Sequence, residues 1–184
     1  MDIQTIAGVA HLFGVALGAG GAYLSDMMFF SSVRDEKISG TEMRFLKLGS
    51  FAVWIGLFIL IVSGLVLTFL NPERTIGSEK FWAKMTIVAV IIVNGLIFKH
   101  YHLPHLHKHI GLHFPSSAEF VRRIPLLLIS GAISGVSWSA ALILGALRRL
   151  PYGYWEIMSA YLALVVLTIF FVIVFKKKLI AHPK

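Results

Sequence analysis

The amino-acid sequence predicts an all-α integral membrane protein, a single domain built as a bundle of five transmembrane helices. Hydrophobic residues make up 57% of the 184 residues, and the mean hydropathy is +0.80. The apolar residues form five long runs with few charges, at about 4–30, 48–70, 82–98, 124–147 and 154–175. About 20 apolar residues cross a bilayer as a helix, which satisfies its own backbone hydrogen bonds in lipid. No polar segment is long enough to fold as a separate soluble domain.

The basic residues predict how the bundle is oriented. The chain has 17 Lys and Arg residues and a formal charge of +8. An outer N-terminus places most of them inside, as the positive-inside rule requires. The exceptions on the outer side are Arg74, Lys80, Lys84, Arg148 and Arg149. We therefore expect an N-out, C-in protein of a bacterial inner membrane, with the lipid bilayer and no nucleic acid as its partner.

The first span contains the strongest functional signal, His11. An ionisable side chain within the membrane is costly and is by default a functional candidate. The chain contains no Cys, which excludes haem or iron–sulfur ligation by its own thiolates. We interpret His11 as a ligand of haem iron or of another metal, or as part of a proton path.

Small residues follow His11 along the same helix. Gly14, Gly18, Gly21 and Ser25 share its face of the helix. A histidine above a strip of glycines leaves room for a flat macrocycle, which favours a haem. The alternative interpretation is a seam for close helix packing.

Asp26 is an acidic residue near the inner end of the first span. We expect it to pair with Arg34 or Lys37 at the membrane interface. The alternative is a proton relay. The charged segment that follows, Ser31 to Thr41, is expected to be a solvated turn.

The second span is expected from about Glu42 to Leu70. Gly49, Gly56 and Ser63 recur at seven-residue intervals, which is typical of a packing seam. Asn71 and Pro72 then stop the helix, because both residues favour turns.

The third span opens with Trp82 and Lys84 and contains Asn94. Lys84 lies about 6 Å and His11 about 10–12 Å inside the outer ends of their helices, so both could approach one site. The alternative for Lys84 is that its ammonium reaches water at the interface. Asn94 is expected to hydrogen-bond to a neighbouring helix.

A histidine-rich segment follows the third span, and we expect a loop over about 99–115. Four of its histidines, spaced by three, four and four residues, would share one helical face: His102, His105, His109 and His113. Such spacing suits zinc or copper, although Pro104 and Gly111 interrupt a helix. The alternatives are a pH-responsive loop, a loop that receives haem propionates and a solvated loop without a fixed ligand. His100, at the inner end of the third span, could coordinate a second iron or hold a propionate.

The fourth span has a Gly131-x-x-x-Gly135 seam and a polar centre that includes Trp138. A tryptophan in the middle of the membrane either lines a pocket or packs between helices. The fifth span is nearly featureless lipid-facing sequence and contributes no chemistry that we can name.

The order of these features resembles the HemJ-type protoporphyrinogen oxidases and the related CopD-like membrane domains. The resemblance covers about residues 5–148 and rests on four places: His11, Glu42-Met43-Arg44-Phe45, Trp82-Ala83-Lys84 and Phe98-Lys99-His100. It implies a four-helix core that holds haem b, with His11 as axial ligand and Lys84 or His100 near the haem. It also implies that Arg44 is among the cofactor-binding residues. The fifth span and the histidine-rich segment are not part of the family's pattern.

Three functions follow from these observations. The leading hypothesis is a haem-b membrane protein that transfers electrons, with an oxidoreductase activity on a porphyrinogen or a quinone left open. The second is a copper or zinc transport or resistance protein that uses the histidine-rich loop. The third is a non-catalytic assembly subunit whose glycine seams bind a partner. For the protein as a whole, the expected partners besides lipid are a redox partner or a second copy of the chain.

Overall fold

The computed structural model describes residues 1–34, 37–112, 118–147 and 150–180, without the side chains of 33–34, 118–121 and 175–180. Within these ranges the protein is an all-α bundle, as the sequence predicts. Five of its helices are long and apolar enough to cross a membrane.

The long helices agree closely with the predicted spans. They are α1 (Ile3–Arg34), α2 (Gly40–Leu70), α4 (Glu79–Ile97), α6 (Ala118–Ala146) and α7 (Tyr154–Ile180), and the short ones are α3 (Pro72–Ile76) and α5 (Leu103–Lys108). The helix α2 begins at a capping box, in which Glu42 N–H donates to Ser39 Oγ and Ser39 N–H donates to Glu42 Oε2. It ends, as predicted, immediately before Asn71 and Pro72.

Successive long helices run in opposite directions, which gives the bundle two distinct ends. We call the end where α1, α4 and α7 begin and α2 and α6 finish the N-terminal end. The opposite end, which includes α5, is called the His-rich end. Each residue's depth in the bundle therefore follows from its position along its helix, at about 1.5 Å per residue.

The histidine-rich segment is helical further than predicted. The helix α4 continues into a π-helical turn, Phe98–His102, and then into α5, which ends at Lys108. Pro104 has no N–H, and in an α-helix its ring would clash with the carbonyl of His100. The wider π turn accommodates the ring, and the N–H of Leu103 donates to the carbonyl five residues earlier.

A tight turn follows α5 and ties this segment to the connection between α1 and α2. Gly111 has a φ of +78°, a left-handed conformation that favours glycine. Its N–H donates to the carbonyl of Ile38 at 2.9 Å. The side chains of Ile38 and Leu106 are completely buried there, so α5 is anchored to the bundle.

The glycine strip of α1 is a helix-packing surface. A Cβ on Gly14 would lie 3.0 Å from the carbonyl oxygen of Gly56, and a Cβ on Gly21 would lie 2.9 Å from that of Gly49. Gly18 lies against the indole of Trp138. The expectation that the glycines leave room for a flat macrocycle is wrong, because α2 and Trp138 already cover them.

Candidate cofactor site at His11

The imidazole of His11 is held in one orientation by the neighbouring helix. Its Nδ1 lies 2.9 Å from Oγ of Ser63, a residue of α2 that is 4% exposed. The Ser63 hydroxyl donates its own proton to the carbonyl of Ile59 at 2.6 Å. Ser63 Oγ therefore accepts from His11, which places the imidazole proton on Nδ1 and leaves a lone pair on Nε2.

Lys84 faces that lone pair from α4. Its Nζ lies 3.5 Å from His11 Nε2, and an ammonium can only donate hydrogen bonds. The contact is thus consistent with the tautomer that Ser63 selects. The structure brings together two residues that are 73 positions apart in the chain and that the sequence placed near the same end.

An apolar cavity of about 180 Å³ opens beside His11 and Lys84. Four helices line it, α1, α2, α4 and α6. Its apolar wall consists of Val15, Leu57, Leu60, Ile61, Leu65, Phe81, Met85, Val88, Ile91, Trp138, Ala141 and Leu142. Gly64 also belongs to the lining, and even a Cβ at this position would lie only 3.6 Å from Cε1 of His11. The missing side chain therefore keeps one side of the imidazole uncrowded.

A polar pocket of about 360 Å³ adjoins this cavity at the N-terminal end of the bundle and shares Phe81 and Lys84 with it. Two further cations, Arg74 and Lys80, line the pocket. Lys80 Nζ also donates to the carbonyl of Leu147. The mouth of the His11 cavity is therefore suited to an anionic group such as a carboxylate.

Two other residues that the sequence assigned to the cofactor lie elsewhere. His100 is exposed on the π turn, 16 positions beyond Lys84, and hence about 24 Å further along the helix. Arg44 is exposed near the start of α2, at the same His-rich end. The structure groups Lys84, and neither His100 nor Arg44, with His11.

The histidine-rich segment forms a pair of neighbouring rings. His105 and His109 are 7% and 8% exposed, and their ring centroids are 4.6 Å apart. His109 Nδ1 donates to the carbonyl of His105 at 2.8 Å. His102 is half-buried, and His113 lies outside the described residues.

The described residues contain no group of three or more His, Cys, Asp or Glu side chains that could hold a metal ion. In those ranges, the predicted zinc or copper site has no preformed set of ligands. Among the described histidines, the spacing brings the rings of His105 and His109 together, whereas the ring of His102 lies beside that of Phe98.

Asp26 lies inside the bundle. Its carboxylate contacts Ser134 and lies near Gly131, both on α6. Lys37, one of its two expected partners, is exposed, and the side chain of Arg34 lies outside the described residues. Asn94 behaves as predicted and exchanges two hydrogen bonds with Ser130 across the helix interface.

Sequence reasoning missed the role of Ser63 beside His11. Its signal was present in the seven-residue repeat of small residues, which we interpreted only as a packing seam. A serine in place of glycine at the third repeat adds one hydroxyl to the helix interface. The partner of that hydroxyl depends on the register between α1 and α2, which the sequence of one helix does not encode.

Comparison of the chain with protein-family models, with curated proteins and with solved structures gives no match in any of the three. Fold and site define the class: a five-helix membrane protein with an oriented, neutral histidine beside an apolar cavity. The resemblance to the HemJ-type and CopD-like proteins stays an expectation.

Proposed function

We propose that the protein binds haem b within the bilayer, with His11 as an iron ligand, and that it transfers electrons there. The observation that carries the proposal is the direction of the Nε2 lone pair, which Ser63 fixes toward the cavity. A metal-ligating histidine characteristically donates its other ring N–H to a neighbouring acceptor, which orients the ring and raises its basicity. When bound, a haem would supply one-electron redox chemistry.

The chemistry of the site fits a haem. The cavity walls are apolar, as the macrocycle requires, and the three cations Arg74, Lys80 and Lys84 at its mouth suit two propionates. The cavity is lined by α1, α2, α4 and α6, four helices as the resemblance implies. We assign no function to α7 in holding the cofactor.

The size of the cavity sets a condition on binding. Its 180 Å³ is only slightly larger than the cavity of about 150 Å³ that holds benzene in an engineered protein. A porphyrin therefore requires the cleft between α2 and α4 to widen. The helix α2 packs mainly on α1, whereas α4 packs mainly on α6 and α7, so this widening leaves the main helix pairs intact.

His11, Ser63 and Lys84 have separate functions in this proposal. His11 provides the Nε2 ligand, and Ser63 holds the proton on Nδ1. Lys84 would give up its contact with the lone pair and would keep a positive charge at the mouth of the cavity. An anionic group there would pair with this charge.

The experiment is to purify the full-length protein from cells supplied with a haem precursor and to record its absorption spectrum before and after reduction with dithionite. We expect a Soret band and sharpened α and β bands on reduction. His11→Ala should abolish the bands, whereas the matched control His100→Ala, an exposed histidine at the other end, should retain them. A colourless protein, or loss of the bands in His100→Ala alone, would contradict the proposal.

The same preparation tests the second hypothesis from the sequence. A colourless protein that binds copper or zinc, and loses this binding in the double variant His105→Ala and His109→Ala, would favour metal transport or resistance. Under the haem proposal, this double variant retains the full absorption spectrum.

A further inference from the structure

A second cavity, separate from the His11 cavity, surrounds Asp26 in the half of the bundle nearer the His-rich end. It measures about 50 Å³ and lies between α1, α2, α4 and α6. This volume is large enough for one or more water molecules, each of which needs at least about 10–15 Å³. Asp26 is 15 residues from His11 and so about 22 Å away along α1.

The cavity contains polar atoms that the described protein leaves without partners. Asp26 Oδ2 and Ser25 Oγ are both buried and have no hydrogen-bond partner among the described residues. Ser25 is only 8% exposed and belongs to the cavity lining. Unpaired buried polar atoms are costly, so their persistence beside a cavity points to a ligand that pairs with them.

The charge of the cavity identifies that ligand. Asp26 is the only ionisable residue among the described residues of α1, α2, α4 and α6 that line the cavity. The ammonium of Lys99 lies over the ring of Trp54, a lining residue, at 5.5 Å from the centroid. An isolated carboxylate in a low-dielectric interior is very costly, and such a group is neutralised by taking up a proton.

Two polar residues lie between the cavity and a mostly apolar pocket toward one end of the bundle. Asn94 and Ser130 line the cavity, and the same two residues line a wider pocket of about 330 Å³ that extends to His102 and Arg123. Asn94 Nδ2 donates to the carbonyl of Ser130 at 3.0 Å, and Ser130 Oγ donates to Asn94 Oδ1 at 2.9 Å. This hydrogen-bonded pair therefore separates the Asp26 cavity from a pocket near the His-rich end.

The opposite side of the cavity is apolar. Ile91 and Trp138 line both the Asp26 cavity and the His11 cavity, and they are 4% and 3% exposed. Among the described residues, these two line both cavities, and neither carries an ionisable group. The two sites are thus separated by a wall without an ionisable side chain.

We propose that Asp26 is a proton-binding carboxyl of the membrane interior and that it is loaded from the His-rich end past the Asn94–Ser130 pair. The proton passes from a hydronium ion in the aqueous phase to Asp26 Oδ2, which becomes neutral, and water remains. The inference does not depend on a cofactor at His11.

The first experiment is labelling of the full-length protein with dicyclohexylcarbodiimide, which adds to protonated carboxyl groups in apolar surroundings. We expect Asp26 to be modified, the rate to fall as the pH rises, and sodium at constant ionic strength to give no protection. Asp26→Asn should eliminate the modification, whereas Asp2→Asn, which changes an exposed aspartate, should not. Protection by sodium would mean that Asp26 binds a metal cation and not a proton, which contradicts the proposal. If Asp26 fails to react in the native protein but reacts after denaturation, the proposal is overturned as well.

The second experiment tests the direction of access and uses the absence of Cys from the chain. The variant Ser134→Cys places a thiol in the Asp26 cavity, and Ser130→Cys places one at the polar pair. A silver ion displaces the thiol proton and is small enough for a cavity of about 50 Å³, so we expect both variants to bind it from the membrane side that carries the His-rich end. Ala163→Cys, which is exposed toward lipid on α7, should not react.

A protease-cleavable tag at the C-terminus marks the membrane side of the His-rich end in sealed vesicles. If Ser134→Cys does not insert or fold, Ser25→Cys probes the same cavity from α1. Labelling only from the side of the N-terminal end would contradict the proposal. Absence of labelling in the native protein, together with full labelling after denaturation, would do so as well.

Discussion

At the scale of single residues, the environment of His11 determines its chemistry. The proton of Ser63 is used by a carbonyl of its own helix, so its oxygen is available as an acceptor. The neutral imidazole consequently presents Nε2 to an apolar cavity, which is the form that binds metals. The same side chain without Ser63 could adopt either tautomer.

Replacing Ser63 should therefore weaken cofactor binding without destroying the site. Loss of such a supporting hydrogen bond typically costs about 10–100-fold in metal affinity, and we expect Ser63→Ala to lower haem affinity by that factor. Haem titration of the purified variant measures this. The control is Ser137→Ala, because Ser137 is also buried and donates to a carbonyl of its own helix, but contacts Tyr161 instead of a histidine. Equal losses in both variants would mean that Ser63 acts only through packing.

Lys84 supplies a second prediction at this scale. A positive charge near an iron centre destabilises the ferric form relative to the ferrous form. Lys84→Met keeps the aliphatic stem and removes the charge, so we expect haem to remain bound with a lower midpoint potential. A spectroscopic redox titration measures the shift, and Lys80→Met, further from His11, should give a smaller one. A raised or unchanged potential in Lys84→Met would contradict this electrostatic role.

At the scale of elements, the close approach of α1 and α2 positions His11 against Ser63. Glycines make this approach possible, and they occur on both helices. A Cβ at Gly56 would overlap the backbone of Gly18. The helix pair therefore supports the site, although Gly14, Gly18 and Gly56 do not line the His11 cavity.

A methyl group added at this interface should destabilise the protein. Overpacking of a close-packed interior typically costs about 1–3 kcal/mol, so we expect Gly56→Ala to lower the melting temperature in detergent and to weaken haem binding. Gly20→Ala is the matched control, because a Cβ there meets nothing within 4 Å and alanine favours a helix by about 1 kcal/mol. If Gly56→Ala were as stable as Gly20→Ala, the proposed close packing would be incorrect.

The sequence was sufficient for the number, type and approximate bounds of the long helices, because hydrophobic length is local information. It also placed His11 and Lys84 toward one end, since depth follows from position along a helix. It did not provide the partners of His11 and Asp26, which depend on how the helices are rotated against each other. The glycine strip shows this limit most clearly, because the same pattern suits a macrocycle or a second helix.

At the scale of the whole molecule, the bundle separates two sites by depth. The His11 cavity opens toward the N-terminal end, and the Asp26 cavity lies nearer the His-rich end. Ile91 and Trp138 lie between them. The proposed electron-transfer site and the proposed proton site would therefore operate from opposite sides of one membrane.

Orientation is the prediction that belongs to this scale. The basic residues favour a His-rich end on the inner side, and we propose a bacterial inner membrane. A green fluorescent protein fused to the C-terminus should fluoresce, and alkaline phosphatase fused at the same place should be inactive. An active phosphatase would reverse the orientation and with it the side from which Asp26 is loaded.

The most direct test of the account is titration of the cofactor-free, full-length protein in lipid nanodiscs with ferric haem, followed by the Soret absorbance. The account predicts that the native protein and His100→Ala each bind one haem per chain saturably. It predicts no saturable binding by His11→Ala, provided that this variant retains its fold. Saturable binding by His11→Ala equal to that of the native protein would contradict the assignment of His11, and an absence of saturable binding in the native protein would contradict haem as the ligand.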